Sequence, residues 1–204
     1  MITGHGFIKF EDTTEIPELV SSAYGKVLEL GPAVGNQLQR FQISKIEHIY
    51  GVEANKEFEK DLREKVETLK IGDKYTPIMC KLEDVEILRE YGVKEGSMDC
   101  IVSIQVLCSV SDVEKAAKVL YRLLKPGGQL IFWEHQRSSD RLTRFLQKLW
   151  NIPWTLAMDG CHLDNEIEKS LLDAGSWIGF GLDRTKDPYD LTPRVWGKLT
   201  KAGD

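Results

Sequence analysis

The chain is poor in the features that mark secreted, membrane-spanning and nucleic-acid-binding proteins. It has only four cysteines in 204 residues, at positions 80, 100, 108 and 161. They form no C-x-x-C pair and none of the usual zinc spacings, so neither a disulfide framework nor a metal site is expected, and reduced thiols in a cytoplasmic compartment are the simplest reading. No run approaches the roughly eighteen consecutive apolar residues that a bilayer span requires. The amino terminus also lacks a basic-then-apolar leader pattern, so neither secretion nor a membrane span is expected. No run of five basic residues occurs, and a net charge of -5 supplies no general field for phosphate backbones, which argues against nucleic acid as a partner. The nearest basic grouping, Arg137, Arg141, Arg144 and Lys148, falls along one face of an expected helix and reads as solvated surface. Two nucleotide fingerprints are missing as well. No G-x-x-x-x-G-K-[ST] occurs, and G-x-G-x-x-G would need glycine where Ala33 and Asn36 stand, which disfavours a dinucleotide.

What is present is an ordinary globular composition, 42% hydrophobic and 29% charged, in a chain long enough for one sizeable core. Strand-length apolar runs alternate with helical patterns from about residue 26 to 135, the signature of βαβ units in a parallel sheet. Strands are expected at 26–30, 47–52, 75–80, 98–104 and 129–133, with two more at 177–182 and 194–199. Helices are expected at 36–41, from Asn55 through Leu69, at 85–91, from Ser111 and Asp112 to Pro126, at 138–150 and at 165–173. The helix after Asp112 carries Val113, Ala116, Ala117, Leu120, Leu123 and Leu124 as one apolar stripe.

The chemistry-bearing residues gather around the first turn. Gly31 and Gly35 bracket a tight strand-to-helix turn, and Glu53 follows Gly31 at the distance from which an acid reaches ribose hydroxyls. His135 follows the fifth strand, where an imidazole could act as a catalytic base or could simply fix a loop. Cys108 and Cys161 could be drawn together with His135 and His162 as a soft-metal site, but they read as small apolar packing, and no metal is expected.

The segment Val27-Leu28-Glu29-Leu30-Gly31-Pro32-Ala33-Val34-Gly35-Asn36 resembles the first motif of class I S-adenosylmethionine-dependent methyltransferases. Leu123-Leu124-Lys125-Pro126-Gly127-Gly128 resembles their turn before the fifth strand. Gln105-Val106-Leu107-Cys108-Ser109-Val110, Phe132-Trp133-Glu134-His135 and Asp159-Gly160-Cys161 narrow the likeness to methyltransferase-like thiol methyltransferases of animals and their fungal relatives. The resemblance implies a doubly wound, Rossmann-like α/β sheet of seven strands, mostly parallel with an antiparallel last strand. A short amino-terminal segment, 1–25, would serve as a reduced lid on a methyltransferase domain at 26–204. S-adenosylmethionine would be the cofactor. Glu29, Gly31, Pro32, Ala33 and Gly35 would line its methionine end, Glu53 and Ala54 its ribose, and Glu83 or Asp84 its adenine. Gln105 would sit beside the sulfonium. The family usually has glycine at the position of Ala33, so its methyl group would crowd the ligand. The implied reaction is methylation of a small, fairly apolar acceptor, preferably a thiol. The alternatives are an isomerase or cyclase of secondary metabolism built on the same fold, or a non-catalytic partner subunit.

Overall fold

The computed structural model describes residues 5–158 and 160–203, so Asp159 of the 159–161 block lies outside the described residues. Seven strands form one sheet: β1 Gly25–Leu30, β2 Ile46–Val52, β3 Tyr75–Ile78, β4 Met98–Ile104, β5 Leu124–His135, β6 Trp177–Arg184 and β7 Arg194–Lys201, in the order β3-β2-β1-β4-β5-β7-β6. β1 pairs in parallel with β2 and β4, while β7 runs antiparallel between β5 and β6. The sheet order places the carboxyl ends of β1 and β4 side by side, the switch point at which ligands of open α/β sheets bind.

Side-chain alternation along the strands divides the core into two layers. On one face Leu28, Leu30, Ile101, Leu130 and Phe132 pack with Ala116, Leu120 and Leu123 of α5 Val113–Leu123, together with α4 Val85–Glu90 and α7 Ile167–Leu172. On the other, Val27, Val102, Ile131 and Trp133 pack against Leu62 and Val66 of α3 Glu59–Thr68 and against Ile16, Leu19 and Val20 of α2 Ile16–Ser21. Asp112 caps α5 by accepting from Lys115 N at 2.9 Å.

Three expectations are corrected. No α-helix follows β1. In place of a helix at 36–41 there is a 3₁₀ turn at Leu38–Arg40 and a second at Ile43–Lys45. Only Leu38 of the first turn is buried, and the Arg40 guanidinium is drawn away to Glu11 and Asp12, both at 2.7 Å. The fifth strand begins at Leu124 rather than 129, because Pro126-Gly127-Gly128 forms an irregularity within its pairing to β4 instead of preceding it. A Cβ on Gly128 would lie 3.0 Å from the carbonyl oxygens of both Lys125 and Met98, which is why a bare backbone is needed there.

The third correction concerns the helix expected at 138–150, which runs instead over Arg141–Ala157 as α6 and buries polar rather than apolar positions. Its buried positions are Thr143 and Gln147, whereas Ile152 is 72% and Leu156 84% exposed. Gln147 explains the inversion: its amide accepts from Ser138 N at 2.9 Å and donates to the Gln136 and Leu191 carbonyls, satisfying three groups of loops that would otherwise be buried unpaired. No helix of the described residues is long and apolar enough to cross a membrane.

The candidate cofactor site

β1 ends in Glu29-Leu30 and turns at Gly31, whose φ of 60° is open to glycine. A Cβ there would come within 2.7 Å of the Val106 side chain, so the turn and the segment after β4 can approach only because that Cβ is absent. Ala33 holds φ 49° and Gln105 φ 59°, left-handed conformations that cost a residue with a Cβ on the order of 1–2 kcal/mol. Both line the same cavity. Such strain concentrates at ligand sites when the surroundings hold it in place. Ala33 is held by Glu53, whose Oε2 accepts its N–H at 2.9 Å.

Two adjoining cavities open at this edge and share Leu30, Gly31, Glu53, Phe58, Val106 and Ser109. The smaller, about 180 Å³, is lined also by Phe7, Glu11, Glu29, Pro32, Ala33 and Gln105. The larger, about 720 Å³, extends past Ala54, Asn55, Cys80, Leu82, Glu83 and Val110. Glu29, Pro32, Ala33 and Gln105 thus fall on the smaller cavity, Ala54 and Glu83 on the larger, and Gly31 and Glu53 on both. Gly35 and Asp84 line neither. Gly35 serves the turn through its N–H to the Pro32 carbonyl at 2.8 Å, and Asp84 accepts from Lys81 N at 3.0 Å.

Glu29 is fully buried, and desolvation pushes its carboxyl up to about 8, against the opposing effect of the Tyr75 hydroxyl that donates to Oε2 at 3.0 Å. Its Oε1 is buried with no hydrogen-bond partner among the described residues. A buried acceptor left unpaired costs about 1–3 kcal/mol, so this atom is suited to a ligand ammonium. Glu53 is also buried and accepts from Asn55 N at 2.8 Å through Oε1. With one bond to each oxygen, a carboxylate still has lone pairs for two hydroxyl donors. Phe58, Leu82, Val106 and Val110 supply apolar walls for a flat base beyond it.

The sequence did not point to Glu11, which is buried on α1 His5–Glu11. Its carboxylate accepts from Gln37 Nε2 at 3.0 Å, Gln105 Nε2 at 3.2 Å and Arg40 Nη1 at 2.7 Å, seating α1 over the smaller cavity. These partners lie 26 to 94 residues away, so no local pattern marks the residue.

His135 is placed differently from the expectation of a base at the substrate edge. The alternation of β5 turns it to the same side as Trp133, and it lines neither cavity. Its ring lies edge-on to Trp133 and Trp154, and Nδ1 is 3.6 Å from Cys161 Sγ and 4.0 Å from Cys108 Sγ. The two sulfurs are 3.0 Å apart. The hydrogen bond between the two thiols, aided by His135, lowers the Cys161 thiol and raises that of Cys108. His162 does not join them, for its Nδ1 faces Asn151 Nδ2 at 3.2 Å. Glu134, also unmarked by the sequence argument, accepts from Ser103 Oγ and from the N–H groups of Val106, Leu107 and Cys108, fixing the turn after β4. Burial raises its carboxyl to about 7 despite these bonds.

A separate cleft of about 440 Å³ holds Arg137, Arg144, Lys169 and Arg184. Arg137 pairs with Glu166, Lys169 with Asp173 and Arg184 with Glu168, so this is a mutually neutralised surface rather than an anion site.

A mostly parallel seven-stranded sheet, a strained turn after its first strand, a carboxylate at the tip of its second and an apolar slot beyond together define a class I methyltransferase domain. The comparisons agree. Residues 28–132 match the methyltransferase domain family, and the chain belongs to it; S-adenosylmethionine is its cofactor. It is 30% identical to human thiol S-methyltransferase TMT1B over 188 residues, 89% of this chain and 74% of that protein. It is 33% identical to the rat TMT1B over 111 residues, 52% of this chain, and there the match spans only 45% of the relative's length. Among solved structures, YcgJ of Bacillus subtilis superposes with a TM-score of 0.72 at 14% identity, covering 98% of this chain and all of that one, which shows the shared fold.

Proposed function

We propose that the protein transfers the methyl group of S-adenosylmethionine to a thiol on a small, fairly apolar molecule. The observation that carries this reading is the ionisable lining of the smaller cavity. Among the described residues its acids are Glu11, Glu29 and Glu53, each accepting at least one protein hydrogen bond, and no histidine or lysine lines it. A thiol ionises near neutral pH and needs no strong base, whereas a hydroxyl acceptor would. The thiol S-methyltransferase relatives support the same acceptor.

In this reading Glu29 Oε1 accepts from the cofactor's ammonium, Glu53 holds its ribose hydroxyls, and Phe58, Leu82, Val106 and Val110 enclose its adenine. The cofactor supplies an electrophilic methyl group with a neutral leaving thioether. The chain's own contribution is alignment and exclusion of water. Gln105, fixed by Glu11 and by its own N–H to the Trp133 carbonyl at 2.8 Å, orients the approach, and α1 is the lid, with Phe7 facing the acceptor side. The four cysteines are unpaired and buried, which suits a reducing cytoplasm.

The test is turnover with S-adenosylmethionine against matched panels of aryl and alkyl thiols, phenols and amines, with methylated products resolved by mass spectrometry. Methyl thioethers should dominate. Methyl ethers or methylamines in their place would contradict the thiol assignment, and binding without any turnover would favour a non-methylating use of the fold.

A further inference from the structure

Outside the cofactor site, one cluster brings three metal-ligating atoms together from distant parts of the chain. Cys108 sits in the 3₁₀ turn Leu107–Ser109 after β4, His135 ends β5, and Cys161 lies in the loop after α6. All three are buried, and their ligand atoms lie within 4.8 Å of one another. The scaffold is fixed from several sides. Glu134 grips the turn bearing Cys108, and the Cys108 carbonyl accepts from His162 N at 2.8 Å and Asn165 Nδ2 at 3.1 Å, tying the loop of Cys161 to that turn. Thr155 Oγ1 donates to the Cys161 carbonyl at 3.1 Å, and the rings of Trp133 and Trp154 fix His135.

We propose that Cys108, His135 and Cys161 form a binding site for a soft divalent cation of the zinc type, joining the turn after β4 to the loop after α6. A tetrahedral zinc with bonds of about 2.3 Å to sulfur and about 2.0 Å to nitrogen requires sulfur–sulfur and sulfur–nitrogen separations of about 3.8 and 3.5 Å. The nitrogen–sulfur distances of 3.6 and 4.0 Å come within about 0.5 Å of this. The sulfurs, at 3.0 Å, need to part by less than 1 Å, which side-chain rotation supplies. Thiolate and imidazole are the ligand types this metal class prefers, and two sulfurs with one nitrogen disfavour magnesium and calcium. Each thiol that coordinates gives its proton to solvent, a water fills the fourth position, and no electron moves. Ser109, next to Cys108, lines both cofactor cavities, so the cation would stiffen the segment that walls the site.

The test is cobalt titration of the full chain, reduced, stripped by chelation and kept free of air. One equivalent should produce thiolate-to-cobalt charge transfer and the intense visible bands of a tetrahedral ion, and zinc should bleach them. Cys161→Ser, left with one sulfur ligand, should lose at least half of the thiolate-to-cobalt charge-transfer intensity. Because that variant can also misfold, the wild-type protein gives a second readout: stoichiometric zinc should slow formation of the Cys108–Cys161 disulfide by air more than about tenfold, as occupied ligands are withdrawn from oxidation. Cobalt that stays weakly coloured and six-coordinate, or a disulfide that forms equally fast with zinc present, overturns the proposal. Neither readout depends on methyl transfer.

Discussion

Ala33 shows how one methyl group can be tolerated at a turn built for glycine. Its left-handed backbone costs on the order of 1–2 kcal/mol, and its N–H bond to Glu53 offsets part of this. Ala33→Gly relieves the strain but adds about 0.4–1 kcal/mol of unfolded-state entropy. The expected outcome is a net gain of up to about 1 kcal/mol in denaturant stability, with tighter cofactor binding. A loss of stability would show that the methyl group packs usefully. Glu29 carries a pH signature. In the free protein its carboxyl titrates near 8, above the ordinary 4.5, so between those values the folded chain keeps a proton that the unfolded chain has lost. Its contribution to stability is therefore present at low pH and lost as pH rises through 8. Cofactor binding acts in the opposite direction: an ammonium beside Oε1 favours the carboxylate, so binding below pH 8 releases a proton. Affinity should rise by up to about tenfold per unit between pH 6 and 8, and Glu29→Gln should flatten the profile. Calorimetry in buffers of different ionisation heat reads the proton directly, and a pH-independent affinity in the wild type would refute the assignment.

At the scale of elements, the turn after β4 depends on β5 more than on itself. Glu134, fully buried, accepts three of its backbone N–H groups. Glu134→Gln keeps the shape but aims an amide N–H at those donors, and should cost about 3 kcal/mol in chemical denaturation. A cost below about 1 kcal/mol would mean that the turn holds its own shape. The segment between β1 and β2 teaches a related lesson. The sequence pattern there suggested a helix, and Leu38 and Phe41 are both buried, but Arg40 answers to α1, so long-range pairing overrides local periodicity. α6 was readable as a helix yet not as to its facing, because Gln147 pairs with loop atoms whose position no local spacing encodes.

Over the whole molecule, the sheet was legible because strand alternation and the two glycine-bearing turns are local signals that also fix connection order. Gly31 and Glu53 could be placed in the same way, since each stands at a strand end, whereas Glu29 rested on the resemblance to the family's first motif. Glu11 and the role of Glu134 were not legible, and the grouping of Cys108, His135 and Cys161 could be drawn but was set below simple packing, because such chemistry arises only when segments tens of residues apart converge. His135 illustrates the limit: it follows the expected strand, but the side to which it turns depends on what packs there. The central claim, that the turn after β1 and the acid at the tip of β2 hold S-adenosylmethionine, is tested most directly by calorimetric titration of its demethylated product into the wild type and Glu53→Ala. The account expects one equivalent bound by the wild type, with affinity weakened by about 1–3 kcal/mol in the variant through lost hydrogen bonds to a charged group. No binding by the wild type, or equal affinity in the two proteins, would contradict it.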